Sequence, residues 1–132
     1  RPGLEYASIT WNPWLKKDKR ALENIQNRVK RLSNKDLQLE SLESRRRRTD
    51  LVETYKFVTG KYKTKTSRIF KQPHRTLRGH CLKLFKPPAK TEVLRNFFAH
   101  RVIDAWNLLD DSIVVASTTA SFARKLRAVP LA

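Results

Sequence analysis

The stretch WLKKDKRALENIQNRVKRLS, residues 14–33, decides how this chain is read. Leu15, Leu22, Ile25, Val29 and Leu32 fall at intervals of 7, 3, 4 and 3, with Lys16, Lys17, Lys19, Arg20 and Arg28 off that line. Apolar residues three and four apart share one face of a helix with 3.6 residues per turn, so the spacing predicts an amphipathic helix over 14–33. Asn12 and Pro13 stand where such a helix starts. An Asn side-chain oxygen accepts from a free backbone N–H, and proline's missing N–H costs nothing at the first helical position.

Working outward, a second helix is expected over 39–59, with Leu39, Leu42, Leu51, Val52, Tyr55 and Val58 as its apolar face and Gly60 as its stop. Arg45, Arg46, Arg47 and Arg48 interrupt that face. Four consecutive helical residues sweep about 300° around the axis, so one guanidinium must point toward the core side. It is met there by a partner or by a local carboxylate, and Glu43–Arg47 and Arg46–Asp50 are both spaced i,i+4. A third helix is expected over 92–109 from Leu94, Phe98, Val102, Trp106 and Leu109, with Phe97, Phe98 and Trp106 as core anchors. Asp110-Asp111-Ser112 ends it. A last helix follows Ser117 as cap, carries Phe122, Leu126 and Val129, and stops before Pro130. Between these lies a stretch punctuated by Pro73, Gly79 and Pro87-Pro88, in which only the alternation from His80 to Lys86 suggests a strand or extended arm. The fold class expected is all-α: a small bundle of about four helices with a basic, irregular insert at 61–91. Four segments follow: 1–13 as a leading piece, 14–60 as a basic helical hairpin, 61–91 as a basic loop or arm, and 92–132 as hydrophobic C-terminal helices.

Composition narrows the function. The 132 residues hold 29 Lys+Arg against 12 Asp+Glu, a net charge of +17. No run of about 18 apolar residues exists, so no membrane span is expected. Cys81 is the single cysteine, which excludes an internal disulfide and fits a reducing compartment. Methionine is absent, which predicts a fragment or processed piece of a longer protein. Asp110 and Asp111 read as turn or capping residues, and Asp50 and Glu53 as charge compensation for the arginines. His74, His80, Cys81 and His100 lack the paired spacing of a zinc site, and phosphate-loop and nucleophile-elbow motifs are missing. No metal, cofactor or catalytic residue is expected.

Positive charge is the remaining signal. Residues 54–103 hold 13 Lys/Arg and one acid, Glu92, with Tyr55, Phe57, Tyr62, Phe70, Phe85 and Phe97 interleaved. Clustered cations bind nucleic acid by neutralising phosphates and releasing counterions, and aromatic rings stack on unpaired bases. Charge of this density repels itself, so a polyanionic partner is expected. The candidate contacts are Arg45, Arg46, Arg47, Arg48, Arg75, Arg78, Lys83, Lys86, Arg95 and Arg101, with His80 as a backbone or sugar contact.

Five segments in order also carry a family likeness: RPGLEYASITWNPWLKKDKRALENIQNRVKRL at 1–32, LQLESLESRRRRTDLVETYKFVTG at 37–60, RTLRGHCLKLF at 75–85, NFFAHRVIDAWNLL at 96–109 and SFARKL at 121–126. Together they resemble the C-terminal part of non-LTR (LINE-type) retrotransposon reverse transcriptases of the chicken-repeat and related clades. The resemblance implies that residues up to Trp14 end a thumb and that the rest extends it. It implies a parent RNA-directed DNA polymerase with an endonuclease, whose catalytic aspartates lie upstream of this chain, so this chain itself is expected to be no enzyme. The implied partners are template RNA, an RNA–DNA hybrid and the missing N-terminal polymerase part, and the implied location is a nuclear and cytoplasmic ribonucleoprotein. The chain departs from the family pattern in a shortened stretch between Leu32 and Leu37, at Thr49 and at Leu109. A helix lost there would leave Leu22, Ile25 or Val52 without partners. Two alternatives stand beside this reading: a small basic structural protein of a ribonucleoprotein, and a non-functional product of a degraded element.

Overall fold

The computed structural model describes residues 13–33, 40–63, 70, 71, 73 and 78–129. They form six helices: α1 Lys16–Leu32, α2 Leu42–Val58, α3 Glu92–Asn96, α4 Phe98–Asn107, α5 Asp111–Val114 and α6 Thr119–Arg127. Among the described residues there is no strand, only an isolated antiparallel bridge between Lys71 and Phe85. The chain is therefore all-α, and its four longer helices are α1, α2, α4 and α6.

The helix ends follow local chemistry. Helix α1 starts from Leu15 as N-cap with no side-chain capping bond, later than the start expected at Asn12 and Pro13; Asn12 lies outside the described residues. Asp18 supplies the negative charge that the first turn favours. Helix α2 starts at Ser41, whose hydroxyl accepts from the Ser44 N–H at 3.1 Å. It ends as expected at Gly60, which sits at φ 73°. The Lys61 N–H donates to the Lys56 carbonyl at 2.9 Å and the Gly60 N–H to the Phe57 carbonyl at 3.3 Å. That pair of bonds needs one left-handed residue, which glycine adopts without a Cβ penalty. Helix α6 is capped by Thr118, not Ser117, because the hydroxyl of Thr118 reaches the Ser121 N–H three residues on.

The helix expected over 92–109 is two helices. Phe97 is extended, at φ −66° and ψ 144°, and separates α3 from α4. The break turns the two adjacent aromatics apart: Phe98 is buried, whereas Phe97 is 55% exposed. Phe97 is therefore not the core anchor expected of it. The segment after Leu109 adds the short α5, which buries Ile113 and Val114 where only a turn was expected.

Helix α2 runs through the middle and packs against both α4 and α6. Leu51 and Tyr55 of α2 meet Phe98, Val102, Ile103 and Trp106 of α4 and Phe122 and Leu126 of α6 in one core. The Tyr55 ring stacks on Phe122 with centroids 4.4 Å apart, and its hydroxyl donates to the Ala116 carbonyl. A buried tyrosine needs such a partner for its polar tip.

The described part of the insert is anchored to the helices. Phe70, His80 and Leu84 are buried. Side chains of α4 hold the segment from His80 to Pro87 by its backbone. Trp106 Nε1 donates to the Leu82 carbonyl at 2.9 Å, and Asn107 Nδ2 to the Leu84 carbonyl at 3.0 Å. The Leu84 N–H donates in turn to Asn107 Oδ1 at 2.9 Å. His100 Nε2 lies 2.8 Å from the Pro87 carbonyl. One Asn amide thus does for Leu84 what a neighbouring strand would do, but Cys81 and Leu82 form a turn, so the strand or extended arm expected from His80 to Lys86 does not run through them. Buried main-chain groups must find partners, and here a helix supplies them.

Helix α1 reverses an expectation. Its buried residue is Gln26, whose Nε2 donates to the Glu40 carbonyl at 3.1 Å. Ile25, Val29 and Leu32 of the predicted apolar stripe are 50%, 53% and 75% exposed. Val52, by contrast, packs against the core.

Candidate nucleic-acid interface

The candidate contacts come from α2, from the arm at 78–86 and from α3 and α4. Helix geometry sorts the four consecutive arginines. Arg46 is the one turned inward and is 1% exposed. Asp50, one turn on, is buried as well, and the charge of Arg46 acts on its carboxylate. The hydrogen bonds to that carboxylate come from across the bundle. Arg101 Nε donates to Oδ2 and Nη2 to Oδ1, each at 2.9 Å, while Nη1 donates to the Asn96 carbonyl at 3.0 Å. A planar guanidinium matches a carboxylate in this two-point way. Burial pushes the Asp50 carboxyl up from its ordinary value, while the hydrogen bonds and charge of Arg101, then the charge of Arg46, pull the other way. Arg46 is thus packed inside the fold, too deep to touch a phosphate, while Arg101 is half-buried with its guanidinium committed to Asp50 and the Asn96 carbonyl.

His80 is also inside. Its Nε2 lies 2.9 Å from the Trp106 carbonyl, and its ring meets the Trp106 ring edge-on with centroids 5.7 Å apart. A carbonyl only accepts, so Nε2 carries a proton. Nδ1 is buried with no hydrogen-bond partner among the described residues. His80 therefore braces the arm against α4 and does not face a sugar.

Of the remaining described candidates, Arg47, Arg78, Lys86 and Arg95 are exposed and Arg45, Arg48 and Lys83 half-buried, several of them beside a carboxylate. Arg47 pairs with Glu43 at 3.2 Å, Arg48 with Glu40 at 3.0 Å, Arg95 with Glu92 at 2.6 Å and Lys86 with Asp104 at 2.5 Å. Exposed pairs are worth roughly 0–1 kcal/mol, so exchanging the carboxylate for a phosphate costs little. Arg78 is exposed and Lys83 half-buried. Lys83 lies over Gly79, where φ is 109° and a Cβ would fall 2.5 Å from Lys83 Cε. Arg75 lies outside the described residues.

Three clefts gather these side chains. The largest, about 600 Å³, has Lys19, Glu43, Arg47, Asp50 and Arg101 around the apolar Leu51 and Val102. Beside it, sharing Arg101 and Asp104, a cleft of about 420 Å³ brings Lys86, Arg95 and Arg101 together. Arg45 and Arg48 line a third, of about 260 Å³, with Arg127. Arg127 was missed in the sequence because residues 104–132 balance Asp104, Asp110 and Asp111 against Arg124, Lys125 and Arg127. Net neutrality along a segment conceals a cation that the fold carries toward others.

At the largest cleft, Glu43 is the hinge of the α1–α2 contact. It accepts from Lys19 Nζ at 2.8 Å, and its backbone N–H donates to Glu23 Oε1 at 3.1 Å. The Lys19 hydrogen bond holds the Glu43 carboxyl below its ordinary value against partial burial, and the charges of Lys19, Arg47 and Arg46 act in the same direction as the bond. Among the described residues no three His, Cys, Asp or Glu side chains gather as metal ligands. Asp110 accepts from Ser112 Oγ at 2.7 Å, as a turn residue does. No helix among the described residues is long and apolar enough to cross a membrane. Comparison with protein-family models, with curated proteins and with solved structures gives no match.

Proposed function

We propose that this chain is a non-catalytic nucleic-acid-binding module that grips the phosphate backbone of RNA or an RNA–DNA hybrid. The observation that carries the reading is the net charge of +17, with Arg47, Lys86, Arg95 and Arg127 exposed at the rims of the clefts. The order of the five family-like segments supports a place downstream of a LINE-type polymerase, where the module would hold template or template–primer duplex. Arg45, Arg47, Arg48, Arg78, Lys83, Lys86 and Arg95 are its phosphate contacts, while Arg46, Arg101 and His80 build the platform that carries them.

The test is a salt titration of binding to labelled RNA and to an RNA–DNA hybrid. If about six phosphates are neutralised, log K falls against log salt with a slope of about −4 to −5. Affinity indifferent to salt would sink the reading, as would undiminished binding after Arg47, Arg78 and Arg95 are changed together to Ala.

A further inference from the structure

Resting on that reading, we propose that the groove between α2 and α6 is a built phosphodiester site, closed by Arg45, Arg48 and Arg127. Arg45, Arg48, Thr49 and Val52 share one face of α2, being spaced i, i+3, i+4 and i+7. Ala123, Leu126 and Arg127 share one face of α6 by the same spacing. The two faces meet around about 260 Å³ of space. Val52, Ala123 and Leu126 are its apolar part, and the three guanidiniums are its polar part. Thr49 is no ligand donor, since its hydroxyl already donates to the Arg45 carbonyl at 3.0 Å.

Charge and size select the ligand. Three arginines face one acid, Glu40, which takes Arg48 Nη2 at 3.0 Å. Arg48 Nε is buried with no hydrogen-bond partner among the described residues. A buried donor on a cation, in a groove with two further guanidiniums, calls for an anionic acceptor. Drug-sized and cofactor ligands need roughly 300–1,000 Å³, so this groove suits a phosphate with the edge of its sugar against the apolar floor. Both walls are helices packed on each other in the core, so the backbone positions that carry the three arginines are fixed relative to one another before the ligand arrives.

The experiment compares the full chain with Arg127→Ala, Arg48→Ala and, as control, Arg124→Ala, which lies on α6 but outside the groove. Binding of labelled single-stranded RNA is measured across about 50–200 mM salt. Loss of a phosphate contact lowers the steepness of the salt dependence by about one, so Arg127→Ala and Arg48→Ala each shallow the slope while Arg124→Ala leaves it. Both variants matching Arg124→Ala would overturn the groove and leave the wider reading standing. Salt-independent binding by the unaltered chain would overturn both. Inorganic phosphate alone, titrated against the Arg127 side-chain N–H signal, is the second arm. Saturation at micromolar phosphate would mark a free-phosphate site and overturn the nucleic-acid assignment, whereas response only at competing salt concentrations supports it. Arg127 is exposed, so its variant keeps the fold and decides the matter even if Arg48→Ala unfolds.

Discussion

Asp50 and Arg101 stand 51 residues apart in the chain and meet in two hydrogen bonds of 2.9 Å. Removing one member of a buried pair leaves the other uncompensated, a loss of about 3–5 kcal/mol. Arg101→Met and Asp50→Ala are each expected to cost that much in urea unfolding. The double variant is expected to cost less than their sum, because each single change already breaks the same contact. Equal and additive losses would show that the pair does not act as a unit. Glu43 titrates differently because it is partly exposed. Its folded value lies below the ordinary glutamate value near 4.5, so the stability it contributes is present above that value. It is lost as pH falls through the folded value. Carboxyl NMR should place the Glu43 midpoint below that of an ordinary glutamate, and Lys19→Met should raise it. The accompanying change in stability is small, since solvent screens the pair.

At the level of elements, Asn107 makes the clearest prediction. Its amide gives and takes one hydrogen bond with Leu84, so Asn107→Leu strands two main-chain groups of a buried segment. The expected cost is roughly 1–3 kcal/mol for each group left unsatisfied. Hydrogen exchange should quicken at the Leu84 amide while protection in α2 persists; unchanged exchange there would mean that the arm is held by its apolar side chains alone. The alternation from His80 to Lys86 suggested an extended arm, but neither the turn at Cys81 and Leu82 nor the partner of the segment was readable. Extended backbone needs acceptors and donors, and the ones used sit on a helix about twenty residues downstream. The break at Phe97 was hidden for a related reason. The apolar spacing of Leu94, Phe98, Val102 and Trp106 continues unbroken across it, because hydrophobic periodicity reports which side chains are apolar and not whether the backbone between them is continuous.

Across the whole molecule, stability is concentrated around Trp106. Trp106→Ala removes a fully buried side chain at the junction of α4, α6 and the arm, and should cost about 3–5 kcal/mol. Val29→Ser on α1 should change stability by less than about 0.5 kcal/mol, since the residue is 53% exposed. Thermal unfolding followed by circular dichroism compares the two. A loss at Val29 as large as at Trp106 would place the stripe of α1 in the core after all. Cooperative melting by the unaltered chain would also set aside the reading of a degraded, unfolded product.

The amino-acid pattern by itself determined that this chain is helical, where its longer helices lie, that Gly60 stops one of them, and that its surface is strongly cationic. Those are local matters: spacing, capping and composition act within a few residues or add without regard to order. The tertiary structure alone decided which arginines are available. Arg46 and Arg101 are indistinguishable from Arg47 and Arg95 in sequence, yet Arg46 is buried, Arg101 is half-buried and tied to Asp50, and Arg47 and Arg95 are exposed. The same holds for α1, whose stripe predicts a helix but not which face the rest of the chain covers. Burial depends on what other elements bring to a surface, and a carboxylate or helix fifty residues away leaves no trace in local spacing.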